Sequence, residues 1–324
     1  MTVRYQDLGD GIYCVDTTLY RPLMAACYLV REGDAVAFID TGTYHTIPLL
    51  LELLGELGLS AANVRYVIPT HVHLDHAGGA GELMAQCPNA TLIVHPKGAI
   101  HMIDPSKLQA GATVVYGEEG FANDYGKLVP VPEARVIRAD DGYAIDLNGR
   151  LLTFYDTPGH ANHHGCIFDQ RTASFFTGDT FGISYREFDT AQGPWMFAPT
   201  TPVAFSPQEW HTSLAKLASL NPVAMQLTHY GRITDVPKHM QDVRHSINTL
   251  TAMAQALLTE PDNRVVRLRE QILQLWLAEL REHGCTLAES TCRELLAVDS
   301  KLNAQGLNVW LERVAAGKAS LLFS

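Results

Sequence analysis

The sequence is short of positive charge. Its 324 residues carry 24 Lys and Arg against 35 Asp and Glu, a formal net charge of −11. A surface that repels phosphates is a poor start for nucleic-acid binding or for docking on anionic membranes. It does not exclude an anionic small substrate, because bound metal ions invert the local field. No stretch approaches the uninterrupted apolar length of a membrane span. The run from Met1 to Gln6 lacks the charged start, apolar core and small-residue cleavage site of a secretory signal. The six cysteines (Cys14, Cys27, Cys87, Cys166, Cys285 and Cys292) form no Cys-x-x-Cys pair and sit mostly inside apolar segments. They read as reduced core residues of a cytoplasmic protein. The Gly-x-Ser-x-Gly elbow is absent, which removes that serine-nucleophile chemistry. There is no low-complexity tract and no repeat at a solenoid period. The partners to expect are small-molecule substrates, with no nucleic acid and no membrane.

What the chain does have is apolar content. At 47% hydrophobic it can bury a large core, and its length suggests one large domain or one domain plus a smaller appendage. Residues 11–15, 26–30, 35–39, 64–68 and 91–94 read as strands. Ile47, Leu50, Leu51, Leu54 and Leu57 recur at helical spacing, and 80–85 reads as a short helix. Residues 104–131, with Gly111, Gly117, Gly120 and Gly126, read as a long irregular loop carrying a few aromatics. Residues 143–147 and 151–155 flank Asn148-Gly149, a type I′ hairpin signal. A second hairpin spans 165–168 and 173–177, and 223–227 is a last short strand. Ser206, Pro207 and Glu209 read as a capping box with proline at the first helical position. A second box is read at Thr286 to Glu289, and Asp299 as a cap for the last helix. After residue 235 the pattern is helical throughout, with Val265, Leu268, Ile272, Leu275 and Trp276 on one face. The expected organisation is a catalytic domain over 1–235 and an α-helical region over 236–324. That helical region is expected as a pocket wall, a homodimer surface, or both.

The informative segment is Thr70-His71-Val72-His73-Leu74-Asp75-His76-Ala77-Gly78-Gly79. Three histidines and a carboxylate within six residues, on a turn after a buried strand, are metal-ligand chemistry rather than packing. His71 and His73, two apart in extended chain, project the same way. Asp75 and His76 then serve a neighbouring position, so the spacing suggests two metals. Three later groups each follow a strand: His160 in Pro158-Gly159-His160, Asp179 in Gly178-Asp179-Thr180, and His229 in Thr228-His229-Tyr230.

His-x-His-x-Asp-His, then Gly-His, Gly-Asp and a final His, in this order, resembles the metallo-β-lactamase superfamily. The likeness covers roughly residues 10–232, and Ile39-Asp40-Thr41-Gly42 also looks like the family's early strand-end motif. The resemblance implies an α/β fold, an αββα sandwich of two mixed sheets with metals at one edge and an added C-terminal helical region. It implies His71, His73 and His160 on one metal, Asp75, His76 and His229 on the second, and Asp179 bridging them. No cysteine stands at a ligand position, so the glyoxalase II, lactonase and quinolone-signal thioesterase branch is nearer than the thiol-ligated β-lactamases. The implied cofactors are two divalent ions, zinc first, with iron or manganese as alternatives.

The implied reaction is hydrolysis of an ester-type bond, a thioester or lactone, by a hydroxide bridging the two metals. Asp75 would hold the water's proton. Asp40 and His163 are expected beside the ligands, and Tyr185, Arg186 and Arg232 as candidate substrate contacts. His45, His95 and His164 read as structural or weakly placed. Three other functions fit the same motif. They are phosphodiester cleavage, an iron-dependent persulfide dioxygenase-like reaction, and a signalling or binding role that merely retains the metals.

Overall fold

The computed structural model describes residues 3–200 and 204–321. The chain forms two compact units, neither of them a continuous stretch. The first comprises residues 1–156, 163–178 and 222–234, and the second 157–162, 179–221 and 235–324.

The first unit holds two mixed sheets. Seven strands make one: β1 (Tyr5–Asp7), β2 (Ile12–Asp16), β3 (Ala26–Glu32), β4 (Ala35–Ile39), β5 (Val64–Ile68), β6 (Thr91–Val94) and β7 (Val136–Arg138). They lie in chain order, antiparallel through β4 and parallel from β4 to β7. The other sheet runs β13-β12-β11-β10-β9-β8. Its strands are β8 (Tyr143–Leu147), β9 (Arg150–Asp156), β10 (Gly165–Asp169), β11 (Ser174–Gly178), β12 (Ala224–Leu227) and β13 (Gly231–Ile233). Only β11 and β12 are parallel there. The strands expected from alternation are present, and the Asn148-Gly149 turn has positive φ at both residues (53° and 88°), as a type I′ turn requires.

Strand alternation gives the first sheet two apolar faces. Ile12, Tyr28, Ala37, Ile39, Ile68 and Ile93 pack against Ile145, Leu152, Phe154, Ile167 and Phe176 of the second sheet. The opposite face, with Val15, Leu29, Phe38, Val67 and Leu92, is covered by helices. These are α1 (Ile47–Glu56), α3 (Ala80–Gln86) and α4 (Pro96–Ile103). A one-turn helix α2 (Leu74–Ala77) carries part of the histidine motif. At the sheets' far ends Arg150 and Asp169, both fully buried, form an ion pair at 2.5 Å. Arg150 also donates to the carbonyls of Asp10 and Arg31.

Residues 104–131 depart from the expected loop. Most of them form helix α5 (Ser106–Tyr125), bent at Gly117, where φ is 75° and ψ 164°. Gly111 and Gly120 are helical all the same. The helix is held from outside its own sequence: Phe121 and Tyr125 pack on Leu74 of the histidine motif. Tertiary burial of one face outweighs the entropic cost of helical glycines.

The second unit is helical: α6 (Pro207–Ser219), α7 (Val236–Gln255), α8 (Arg264–Glu282), α9 (Glu289–Leu295) and α10 (Ala297–Ala315). Its core is aromatic, with the Phe197 and Trp276 rings 4.5 Å apart and Phe205 and Trp310 5.9 Å apart. Three capping expectations need correction. Ser206 is the N-cap of α6, but its side chain makes no cap hydrogen bond. Helix α9 starts at Glu289 after Ala288, so Thr286 caps nothing. Asp299 lies inside the first turn of α10, where its carboxylate accepts the Tyr185 hydroxyl proton (3.1 and 3.2 Å) instead of capping backbone. A nearby phenol outcompetes the helix end for the same acceptor. Among the described residues no helix is long and apolar enough to cross a membrane.

On α8, Glu279 accepts the Trp195 indole proton at 3.2 Å. Burial, with Glu282 and Asp242 adding like charge, pushes its carboxyl up to about 7. The folded value is raised, so the group costs stability as pH climbs from its ordinary 4.5 through about 7 and costs a constant amount above that. Glu279→Gln is expected to flatten the fall in urea midpoint between about pH 5 and pH 8 relative to wild type. Equal pH slopes in the two proteins would contradict this.

Candidate metal centre

The site begins at the end of β5. The chain bends at Thr70 and His71, His73, itself extended (φ −66°, ψ 153°), is the N-cap of α2, and Asp75 and His76 lie in that helix's single turn. The change from extended chain to helix splits the motif in two. His71 Nε2 lies 2.7 Å from His73 Nδ1. Asp75 Oδ2 lies 3.7 Å from His76 Nε2 and 3.3 Å from His229 Nε2. Donor atoms of Asp75, His76 and His229 all fall within 4.8 Å of one another, a spacing that suits one cation. His229 arrives from the residues after β12, close to the end of that strand.

The hydrogen bonds fix which nitrogen each imidazole offers. Asp40, 1% exposed, follows β4 in a left-handed backbone conformation (φ 55°). Its carboxylate accepts from the Thr70 amide at 2.7 Å, the Thr70 hydroxyl at 2.9 Å and the Thr228 hydroxyl at 2.7 Å. It also faces His76 Nδ1 at 2.8 Å. A carboxylate only accepts, so Nδ1 of His76 carries the proton and Nε2 keeps its lone pair. The single hydroxyl proton of Thr70 goes to Asp40. Its oxygen then accepts from His71 Nδ1, 3.2 Å away, and His71 Nε2 keeps a lone pair in turn. His229 Nδ1 donates to the Met24 carbonyl at 2.9 Å, with the same result.

In the second unit His160 Nδ1 donates to the Pro199 carbonyl at 2.8 Å, and His160 Nε2 is 3.3 Å from Asp179 Oδ2. Four of the five expected histidine ligands therefore have Nδ1 tied down and Nε2 turned outward. That is the pattern in which outer hydrogen bonds orient metal-binding imidazoles. The donor set, neutral imidazole nitrogen with carboxylate oxygen, fits a divalent ion such as zinc, iron or manganese.

The other expected residues fall variously. His163 Nδ1 is 3.4 Å from the Val72 amide, and its ring stacks over His71 at 6.2 Å. His164, fully buried, stacks on His71 at 4.7 Å. Gly178 (φ 47°) makes room for it: a Cβ there would lie 2.5 Å from Thr70 Oγ1 and 2.6 Å from His164 Nε2. His95 is the N-cap of α4, accepting from the Lys97 amide and lying 3.2 Å from Asp156. His45 faces the Ala122 carbonyl. Arg232 donates to the Leu8 carbonyl. Arg186 bonds Ser184 and pairs with Asp189, and Tyr185 is fully buried on Asp299. The sequence reading missed Thr70 and Thr228. The signal was available, since each immediately precedes a histidine of the motif at a strand end.

Residues 20–229 match the model of the metallo-beta-lactamase superfamily. The chain is 28% identical over 225 residues to the metallo-beta-lactamase fold-containing protein ST1585 of Sulfurisphaera tokodaii, covering 68% of this chain and 77% of that protein. It is 27% identical over 195 residues to the acyl-coenzyme A thioesterase MBLAC2 of Bos taurus, covering 54% of this chain and 65% of that one. The solved structure of the metallo-beta-lactamase family protein TTHA1429 from Thermus thermophilus superposes with a TM-score of 0.63 at 21% identity, over 96% of this chain and 95% of its own. The chain belongs to the metallo-beta-lactamase superfamily and is a metal-dependent hydrolase of that kind.

Asp40→Asn is expected to weaken retention of a divalent ion by about 10–100-fold, because it frees the tautomers of His76 and His71. Competition with a chromophoric chelator measures this. Wild-type retention in the variant would contradict the role given to Asp40.

Proposed function

We propose that this chain hydrolyses an ester-type bond of a small molecule, a thioester or a lactone, at a pair of divalent metal ions with zinc the first choice. The observation that carries the reading is the coordinated pinning of Nδ1 in His71, His76, His160 and His229, which leaves Nε2 of each as a ligand atom. In this reading His71, His73 and His160 would hold one ion and Asp75, His76 and His229 the other, with Asp179 as a ligand they would share. Chain order supports it, since His71, His160, Asp179 and His229 each come within a few residues of the end of β5, β9, β11 or β12. The likeness to an acyl-coenzyme A thioesterase supports the ester class, at 27% identity and 65% coverage of that relative.

When bound, the two ions would ionise a water near neutral pH, polarise the acyl carbonyl and offset the oxyanion's charge. The chain's own part is orientation and proton handling. Asp40 and Thr70 keep His76 and His71 neutral and aimed. Met24 does the same for His229 through its carbonyl. Asp75, with one oxygen beside His229 and its side chain 28% exposed, has a second oxygen with which to hold the proton of the attacking water. No serine or cysteine nucleophile is required.

The test is a steady-state panel of a thioester, a lactone and a bis-aryl phosphate, with metal content measured on the same preparation. The expected result is turnover of a carboxylic ester, lost on chelation and restored by zinc. Asp75→Asn is expected to lower kcat by about 10²–10⁴ without loss of fold. Turnover of the phosphate diester alone would overturn the reading.

A further inference from the structure

Helix α6, 13 residues long, starts with its donors open. Pro207 at the first position has no amide proton, and the Ser206 side chain does not cap. The amides of Gln208 and Glu209, at the second and third positions, have no acceptor among the described residues. Uncapped amides at this end of a helix concentrate positive potential. Around them lies a cavity of about 340 Å³ that is open to solvent. Ser206, Gln208 and Glu209 line it from α6, Trp310 and Arg313 from α10, and Lys318 from the chain beyond α10.

Hydrogen bonds hold these walls in place. Helix α10 ends in a Schellman motif: the Gly317 amide (φ 68°) donates to the Val314 carbonyl at 2.9 Å and the Lys318 amide to the Arg313 carbonyl at 2.7 Å. The chain then turns back along α6, where Gln208 Nε2 donates to the carbonyls of Ser320 (3.4 Å) and Leu321 (2.6 Å). Arg313 Nη1 donates to the Phe205 carbonyl, just ahead of α6, at 3.1 Å. An independent observation lies at Trp310, which is 1% exposed and set edge-on to Phe205. Its buried Nε1 has no hydrogen-bond partner among the described residues. An indole N–H can only donate, and native folds seldom leave a buried donor unanswered. The cavity therefore joins three unanswered N–H groups to two cations. Glu209 is the carboxylate on this lining, so one positive charge is in excess.

We propose that this cavity binds a phosphate group, as the free anion or as a small phosphate monoester. The Gln208 and Glu209 amides and the Trp310 indole donate to its oxygens, and Arg313 and Lys318 offset its charge. A phosphate dianion uses both cations and all three donors, whereas a carboxylate brings half the charge and one oxygen fewer. None of the lining residues belongs to the metal centre, so the assignment stands apart from the ester-hydrolase reading.

The test is an NMR titration of the full chain at pH 8 that follows the Trp310 indole N–H, assigned through its contacts with the Phe205 ring. This signal reports on the cavity itself, so phosphate bound at the metal centre does not imitate it. Inorganic phosphate and glycerol 2-phosphate are the probes, with acetate as the comparison anion. Phosphate is expected to move the signal downfield and to saturate. Lys318→Gln, at an exposed position, is expected to raise the phosphate Kd roughly five- to tenfold, and Lys318→Arg to restore it. Glu209→Gln, which removes the like charge, is expected to lower Kd by about two- to fivefold. These opposite signs are not what general loosening of the fold would give. Tighter binding of glycerol 2-phosphate assigns the site to an ester, and tighter binding of inorganic phosphate to the free anion. An indole signal that phosphate leaves unmoved overturns the proposal. So does an equal response to acetate, or one Kd shared by wild type, Lys318→Gln and Glu209→Gln.

Discussion

One buried carboxylate organises the first unit's half of the centre. A neutral imidazole has one donor nitrogen and one acceptor nitrogen, and only the acceptor can bind a cation. Left to itself each ring would sample both tautomers. Asp40 removes that freedom directly at His76 and, through the Thr70 hydroxyl, at His71. It also takes the Thr228 hydroxyl, so three strand ends (β4, β5 and β12) are tied at a single group. A charge with almost no exposure is costly unless its oxygens are fully engaged, and here four protons surround it. The same interaction therefore satisfies a buried ion and prepares two ligands.

The sheets explain why this can happen at one edge. Parallel neighbours deliver their carboxyl ends to the same side, and β4 with β5, and β11 with β12, are parallel pairs. Asp40 and Thr70 follow the first pair, and Asp179 and Thr228 follow the second. The amide of Gly165 donates to the Thr70 carbonyl at 2.7 Å, stitching the start of β10 to the end of β5. The faces between the sheets are lined mainly by apolar side chains, and the buried Arg150 and Asp169 there are paired with each other.

Much of this was legible in the sequence because the governing signals are local. Strands β4, β5, β6 and β8 stand where alternation and turn residues put them, and the Asn148-Gly149 hairpin follows from residues that tolerate positive φ. The histidine motif was legible because its residue types have no packing explanation. What escaped depended on distant partners. Helix α5 is stabilised by Leu74, some fifty residues upstream of Phe121 and Tyr125, and its glycines argued against it. Asp299 looked like a cap until Tyr185, over a hundred residues earlier, claimed its carboxylate. Thr70 and Thr228 look ordinary singly, and acquire meaning only when the fold brings both hydroxyls to Asp40.

The interleaving of the two units has a consequence for how the chain matures. Residues 157–162 and 179–221 group with the helices after 235, although they are synthesised between strands of the first unit. During translation the sheets can pair as soon as β13 has emerged. His160 and Asp179, however, sit on segments whose own core includes Trp276 on α8 and Trp310 on α10. Those segments must wait, looped out and unsupported, until the last helices leave the ribosome. A nascent chain stalled before α10 would leave Phe205 with Trp210 but without Trp310, and one stalled before α8 would leave Phe197 with Trp195 but without Trp276, so truncation within the last helices leaves aromatic surface half covered.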